Sequence, residues 1–366
     1  MVRKGDEFIM KKIKVGIIGL GEVAQIIHLP ILESLSDRFE IAAICDISEQ
    51  LLEAIGKRYQ VSVSNRYTQA DDLTKQDDLD AVFVLNSDEY HADCTISALK
   101  NKKHVLLEKP VCLTLEDVEA IIHARDEAGV QVMVGYMRRF APAYVSAVEE
   151  VKQLGKINYA RIRDIIGANR LFIEQSSHVL RPTDIPEESV RDKQERAGRM
   201  VQQAIGDAPA AHKAAYRLLC GLSSHDLSAM REIIGFPKRV VAASQWNGGR
   251  FMNAILEFDG YNATFETGVD NIRRFDAHIQ IYGDHKAITI QYDTPYIRHL
   301  PTTKIIEESV GEAFTKTVER PSFKDAYTLE LEYFHEVVTT GTQPKTTLED
   351  SREDLKLFKM IIDAFE

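Results

Sequence analysis

From Lys12 to about Tyr136 the chain alternates short apolar runs with stretches of helical period. KIKVGIIG, FEIAAICD, LDAVFVLN, KHVLLEKP and VQVMVGY are strand-length runs of aliphatic and β-branched residues that scarcely alternate with polar ones. Runs of this kind are buried on both faces, as in a parallel sheet covered by helices. The stretches between them, from about Val23 to Leu35, Ser48 to Tyr59, His91 to Lys100 and Leu115 to Ala128, supply those helices. Residues 1–136 are therefore expected to form a doubly wound α/β domain.

After Phe140 the rhythm changes. ARIRDIIGAN, KRVVAASQWN, MNAILEFDG, YNATFETGV, RFDAHIQIYG and HKAITIQYD alternate apolar and polar positions, with turn signals at Asp259-Gly260 and Gly283-Asp284. Alternation with period two marks strands with one wet face. Residues 137–366 thus read as an α+β domain on a large open, antiparallel-rich sheet. A charged segment at about 174–216 interrupts it, with a helix start at Asp184 and Pro186 and apolar positions recurring from Val190 to Ile205. The last stretch, from Phe323 to Glu366, returns to helical period.

Composition narrows the classes. A total of 366 residues exceeds one ordinary core and agrees with two domains. Forty-five basic residues against 56 acidic ones give a net charge of −11, which disfavours nucleic acid as a partner. The N-terminal MVRKGDEFIMKKIKVGIIG is broken by charge before a signal-peptide core can form, and no apolar run is long enough to span a bilayer. A cytoplasmic protein without a membrane partner is expected. The four cysteines are widely spaced, so neither a metal site nor a disulfide framework is expected.

Gly19-Leu20-Gly21-Glu22-Val23-Ala24 follows the first strand and opens the first helix, the context a G-x-G-x-x-A dinucleotide fingerprint requires. Gly19 permits a tight turn, Gly21 lets a pyrophosphate approach the backbone, and Ala24 allows close packing. Glu22 and Val23 begin the helix whose N–H groups face the phosphates. Asp46 ends the second strand, where a carboxylate accepts hydrogen bonds from ribose hydroxyls and repels a 2′-phosphate, so NAD is favoured over NADP. Read alone, Asp46 is equally a helix cap. Asn86, His91, Glu108 and Lys109 lie at the carboxyl ends of later strands, the edge where ligands collect, and Lys109 could handle a substrate proton.

GLGEVA, LNSDEYH, EKP, GYMRRF, SHDLSAMREIIG and KDAYTLELEYFHEVVTTGTQP, in that order, resemble the Gfo/Idh/MocA family of NAD(P)-dependent oxidoreductases, which includes inositol and glucose-fructose type enzymes. The resemblance implies a Rossmann domain joined to a domain with a large open sheet. It implies Lys109 as a catalytic lysine, Met137 and Arg138 as substrate-lining residues, and His225 as an acid/base on the substrate hydroxyl. The chain departs from the family where aspartates are usual, with Gly221 and Ser228 in their places. Asp164, Glu174 or Asp184 could supply the missing carboxylate. The activity so implied is hydride transfer between NAD and a carbinol carbon of a sugar, cyclic polyol or derivative. The alternative is a non-catalytic dinucleotide-binding regulator of the same fold. An open sheet with an apolar face also predicts a homodimer or homotetramer.

Overall fold

The computed structural model describes residues 2–4, 7–9 and 11–365. Two short N-terminal strands, β1 (Val2–Lys4) and β2 (Glu7–Ile9), pair antiparallel. The rest divides into two compact units that each collect several stretches of chain. The first holds Met1–Gly135, His178–Met200 and Glu330–Arg352; the second holds Tyr136–Ser177, Val201–Leu329 and Glu353–Glu366. The segment at about 174–216, expected as an insertion within the second domain, is thus split, and its stretch 178–200 belongs to the first unit. Among the described residues no helix is long and apolar enough to cross a membrane.

In the first unit, β3 (Ile13–Ile18), β4 (Phe39–Cys45), β5 (Arg66–Tyr67), β6 (Ala81–Val84), β7 (His104–Glu108) and β8 (Val132–Gly135) form one sheet in the order β5-β4-β3-β6-β7-β8. All of its pairings are parallel. β3, β6, β7 and β8 are buried almost throughout, which accounts for their unbroken apolar runs. The strand order reverses between β3 and β6, so the crevice that receives ligands in such sheets opens beyond the carboxyl ends of these two strands. The sheet's helices include Glu49–Arg58, His91–Lys100 and Leu115–Ala128. The helix after β3 contains one turn of π-helix at Ala24–His28.

Glu330–Arg352 completes this unit. The Phe334 ring meets Phe83 edge-on at 5.4 Å, the His335 ring meets Phe39 at 5.5 Å, and Thr346 Oγ1 donates to the Val134 carbonyl at 2.7 Å. No sequence periodicity announces this return, because the contacts join positions more than two hundred residues apart.

In the second unit, β9 (Tyr159–Gly167), β10 (Arg239–Trp246), β11 (Phe251–Glu257), β12 (Asn262–Asp270), β13 (Phe275–Tyr282), β14 (Lys286–Tyr292), β15 (Thr303–Val310) and β16 (Ala313–Glu319) form one sheet. The order is β10-β11-β12-β9-β13-β14-β15-β16, antiparallel except where β9 runs parallel to β12. Alternate side chains of β9 point into the core, among them Ala160, Ile162 and Ile166. Helices Pro142–Lys152 and Ser224–Ile234 pack on this sheet. The first six strands match the alternating segments of the sequence. The hairpin β15–β16 was missed, because β16 leaves Phe314 and Val318 exposed and so lacks a dry face.

Candidate active site

The phosphate turn is built as its glycines require. Gly19 has φ +93°, and a Cβ there would lie 2.5 Å from the Asn86 backbone nitrogen. Only glycine fits where β3 passes the chain leaving β6. A Cβ at Gly21 would meet nothing within 4 Å. That open space lies over the start of the helix and is what a dinucleotide's pyrophosphate needs. Val23 is half-buried and Ala24 is fully buried at the π-turn.

Asp46 fastens this turn to the end of β4. Its Oδ2 accepts from the Leu20 N–H at 2.8 Å and its Oδ1 from the Ser48 N–H at 2.9 Å. The cap of helix Glu49–Arg58 is Ser48, whose hydroxyl accepts from Leu51 N–H. Asp46 is therefore not a capping residue, and a half-buried carboxylate stays at the edge where ribose hydroxyls are read. Burial raises its pKa, the Leu20 and Ser48 N–H groups oppose that, and the nearby charge of Asp184 adds to it.

Lys109 follows β7 and is half-buried. Its neighbour Glu108 is buried and takes a hydrogen bond at 2.7 Å from His28 Nε2 and another from the Lys109 N–H at 3.1 Å. Burial disfavours the Glu108 anion, but the His28 bond and the Lys109 charge prevail and hold its carboxyl below the usual range. Deeper lies Glu330, fully buried; burial first, then the charge of Glu108, pushes its carboxyl well above the usual range. Glu330 is a neutral acid beneath an ionised one. Sequence reasoning missed it, since an acidic residue in a C-terminal helix reads as a solvated one.

His91 is a structural pin. One ring nitrogen lies 2.8 Å from the Pro110 carbonyl and the other 3.1 Å from the Asn86 carbonyl, so the ring sits between two loops of the edge and, when neutral, donates to one of them. Burial lowers its pKa and keeps the ring neutral, although the surrounding carboxylates and carbonyls pull the other way. Asn86 itself donates to Cys94 Sγ at 3.3 Å.

The stretch 178–200 runs along this same edge. Gln25 bonds through its amide to both the N–H and the carbonyl of Leu180, at 2.8 and 3.1 Å. Arg181 pairs with Glu22 at 3.0 Å. Asp184 accepts from Ser48 Oγ at 2.6 Å and from the Gln50 N–H at 3.0 Å. Farther on, Asp192 accepts from Tyr90 Oη at 2.6 Å, and Arg196 lies over the Tyr90 ring and pairs with Asp93. Asp184, a candidate for the missing catalytic carboxylate, is thus engaged beside Asp46. Glu174 is exposed and pairs with Arg170 at 3.3 Å.

In the second unit, helix Ser224–Ile234 begins beyond a π-turn at Leu219–Ser223 and carries His225, which is buried. Next to it Asp226 pairs with Arg138, whose guanidinium lies over the rings of Tyr292 and Phe275 at 4.7 and 5.6 Å. Asp164, buried on β9, faces Asp226. Burial pushes Asp226 well above the usual range; Arg138 resists this and Asp164 reinforces it. One buried cation thus stands against two buried carboxyls. Arg138 and the buried Met137 border a shallow cleft with Tyr292, Arg298, Asp325 and Tyr327. At the two positions where the sequence resemblance leads us to expect aspartates, Gly221 is exposed and Ser228 donates back to the His225 carbonyl at 3.2 Å.

The strand order, the glycine turn and Asp46 define a dinucleotide-binding Rossmann unit. Residues 13–136 match the family model GFO_IDH_MocA, described as an oxidoreductase family with an NAD-binding Rossmann fold. This unit is thus similar to the NAD-binding Rossmann unit of the Gfo/Idh/MocA family. It is 33% identical over 134 residues to an inositol 2-dehydrogenase of Salmonella typhimurium, a match that takes in 36% of this chain and 39% of that one. The match spans about two fifths of that curated relative. A D-xylose 1-dehydrogenase (NADP(+)) of Haloferax volcanii is 24% identical over 96% of this chain and 97% of its own. Among solved structures, a scyllo-inositol dehydrogenase from Lactobacillus casei, with bound NAD(H) and scyllo-inositol, has a TM-score of 0.70 at 21% identity. That likeness covers 97% of each chain and shows a shared two-domain fold.

Proposed function

We propose that the protein is an NAD-dependent dehydrogenase that oxidises a carbinol carbon of a cyclic polyol, a sugar or a sugar derivative in the cytoplasm, or runs the reverse reduction. The observation that carries this reading is the Gly19–Gly21 cradle tied by Asp46 to β4, with Lys109 on the same sheet edge. Gly21, Glu22 and Val23 would hold the pyrophosphate and Asp46 the adenosine ribose. When bound, nicotinamide supplies the hydride acceptor.

Lys109 is assigned the substrate hydroxyl, whose proton must leave as hydride departs. Glu108, whose carboxyl the Lys109 charge helps hold low, accepts the Lys109 N–H and so orients the turn that carries it. His225, in the second unit, is assigned a further proton-handling role, with Met137 and Arg138 as substrate-lining residues, while Asp164, fully buried against Asp226, supports the Arg138–Asp226 ion pair rather than touching substrate. The Asp164–Asp226–Arg138 cluster fixes the start of the His225 helix. The exposed apolar side chains Ile255, Phe314 and Val318 of the large sheet support assembly as a homodimer or homotetramer.

The test is near-ultraviolet absorbance of reduced nicotinamide on mixing the protein with NAD and a panel of inositols and aldoses. Turnover on at least one member is expected. Tight NADH binding with no turnover on any cyclic polyol or aldose, in either direction, would count against the proposal.

A further inference from the structure

Ser48 stands between two carboxylates. Its backbone N–H goes to Asp46 and its hydroxyl to Asp184, which also takes an N–H of the first turn of the following helix, at Gln50. These are the donors, two and four residues beyond the ribose-reading carboxylate, that a 2′-phosphate on that ribose would need. Asp184 already fills them with an oxyanion supplied by the chain itself. Those two donors hold its carboxyl below the usual range, so the group is charged at neutral pH. Its charge is felt by Asp46. Gln50 reinforces the seat, its amide bonding the Thr183 N–H at 3.1 Å and the Thr183 hydroxyl at 3.2 Å.

Three residues earlier, the same strap places Arg181 against Glu22 of the glycine turn. The strap therefore offers a cation beside the pyrophosphate turn and an anion beside the ribose. We infer that Asp184 is a specificity-determining residue, a second carboxylate brought from outside the Rossmann sequence to exclude NADP. The inference rests on the dinucleotide reading proposed above and adds a residue to it. A phosphate entering here must displace Asp184 or accept a like charge at contact distance, whereas the hydroxyl of NAD needs neither.

The experiment is fluorescence titration of NADH and NADPH against the wild type, Asp184→Asn and Asp184→Glu, at low and at high salt. Asp184→Asn is expected to narrow the NADPH-to-NADH ratio of Kd values by about tenfold or more, through NADPH, with NADH within about threefold. Asp184→Glu, which keeps the charge, retains most of the discrimination. High salt narrows the wild-type ratio more than that of Asp184→Asn. An unchanged ratio in Asp184→Asn, with a wild type that prefers NADH, overturns this inference and leaves the NAD reading standing. A wild type that binds the two equally overturns both. Equal loss of NADH and NADPH in both variants, with lowered melting temperatures, assigns Asp184 to holding the strap and also overturns the inference.

Discussion

Two helices in this protein carry a single turn of π-helix beside residues of chemical interest, at Ala24–His28 and at Leu219–Ser223. Such turns recur at functional sites, but these two are held differently. Around the first, most of the fixing contacts are to backbone, with Gly19 against the Asn86 nitrogen, Asp46 on Leu20 N–H and Gln25 on the Leu20 carbonyl, and one side-chain pair, His28 with Glu108. Around the second they join side chains brought from afar, Arg138 with Asp226, Asp164 facing Asp226, and Ser223 Oγ to Thr267 Oγ1 at 3.0 Å. A site fixed by backbone tolerates few residue types and so reads as a motif. A site fixed by side-chain pairs can exchange its members, and the helix holds with Gly221 and Ser228 at the positions where the family resemblance leads us to expect aspartates.

The sharpest way to break the contrast is Gly19→Ala. Its Cβ would collide with the chain at Asn86, so NADH affinity should fall by about a thousandfold and the melting temperature should drop. Affinity within a few fold of wild type would show that the turn is not fixed by backbone contact.

Lys109→Ala should lower kcat by about a hundredfold while NADH affinity stays within a few fold, since one proton-handling group is lost and the cradle is untouched. Near wild-type turnover would remove this lysine from the reaction.

Gly221→Asp probes the second region. A Cβ there would meet nothing within 4 Å, so the substitution should be tolerated. If that region admits exchange, a carboxylate four residues before His225 should raise kcat by up to about tenfold and move the alkaline limb of its pH profile. Loss of folding, seen by circular dichroism, would instead make Gly221 a backbone requirement like Gly19.

Glu330→Gln should have the smallest effect, on stability alone. The folded carboxyl titrates well above the unfolded value of about 4.5. The wild type is therefore at full stability below that pH and loses stability as pH rises from there toward the folded pKa. The variant lacks this loss, so its melting temperature should gain on the wild type between acid and neutral pH by a difference worth about 1 kcal/mol or more. Parallel curves would show that Glu330 is ionised in the fold.

How far the sequence could be read follows from the range of the contacts. The strands β3, β4, β6, β7 and β8, the glycine turn and the position of Asp46 lie in local pattern, because each demand falls on residues next to one another. β5, of two residues, is too short for any period to show. The pairing of Asp184 with Ser48 spans 136 positions and that of Arg138 with Asp226 spans 88, and nothing in the character of either partner declares the other. Arg138 read as a substrate-lining cation is in the structure also the counter-ion of a buried acid, a second role that only the fold reveals.

The return of Glu330–Arg352 into the first unit bears on how the chain is made. A nascent polypeptide that has emerged as far as Gly135 has every strand of the parallel sheet, yet Phe39 and Phe83 still await His335 and Phe334, and the last strand lacks its bond to Thr346. The apolar flank those rings cover stays open through nearly two hundred further residues of synthesis. Completion of the dinucleotide unit therefore waits until residues 330–352 have been made, after most of the second unit has emerged.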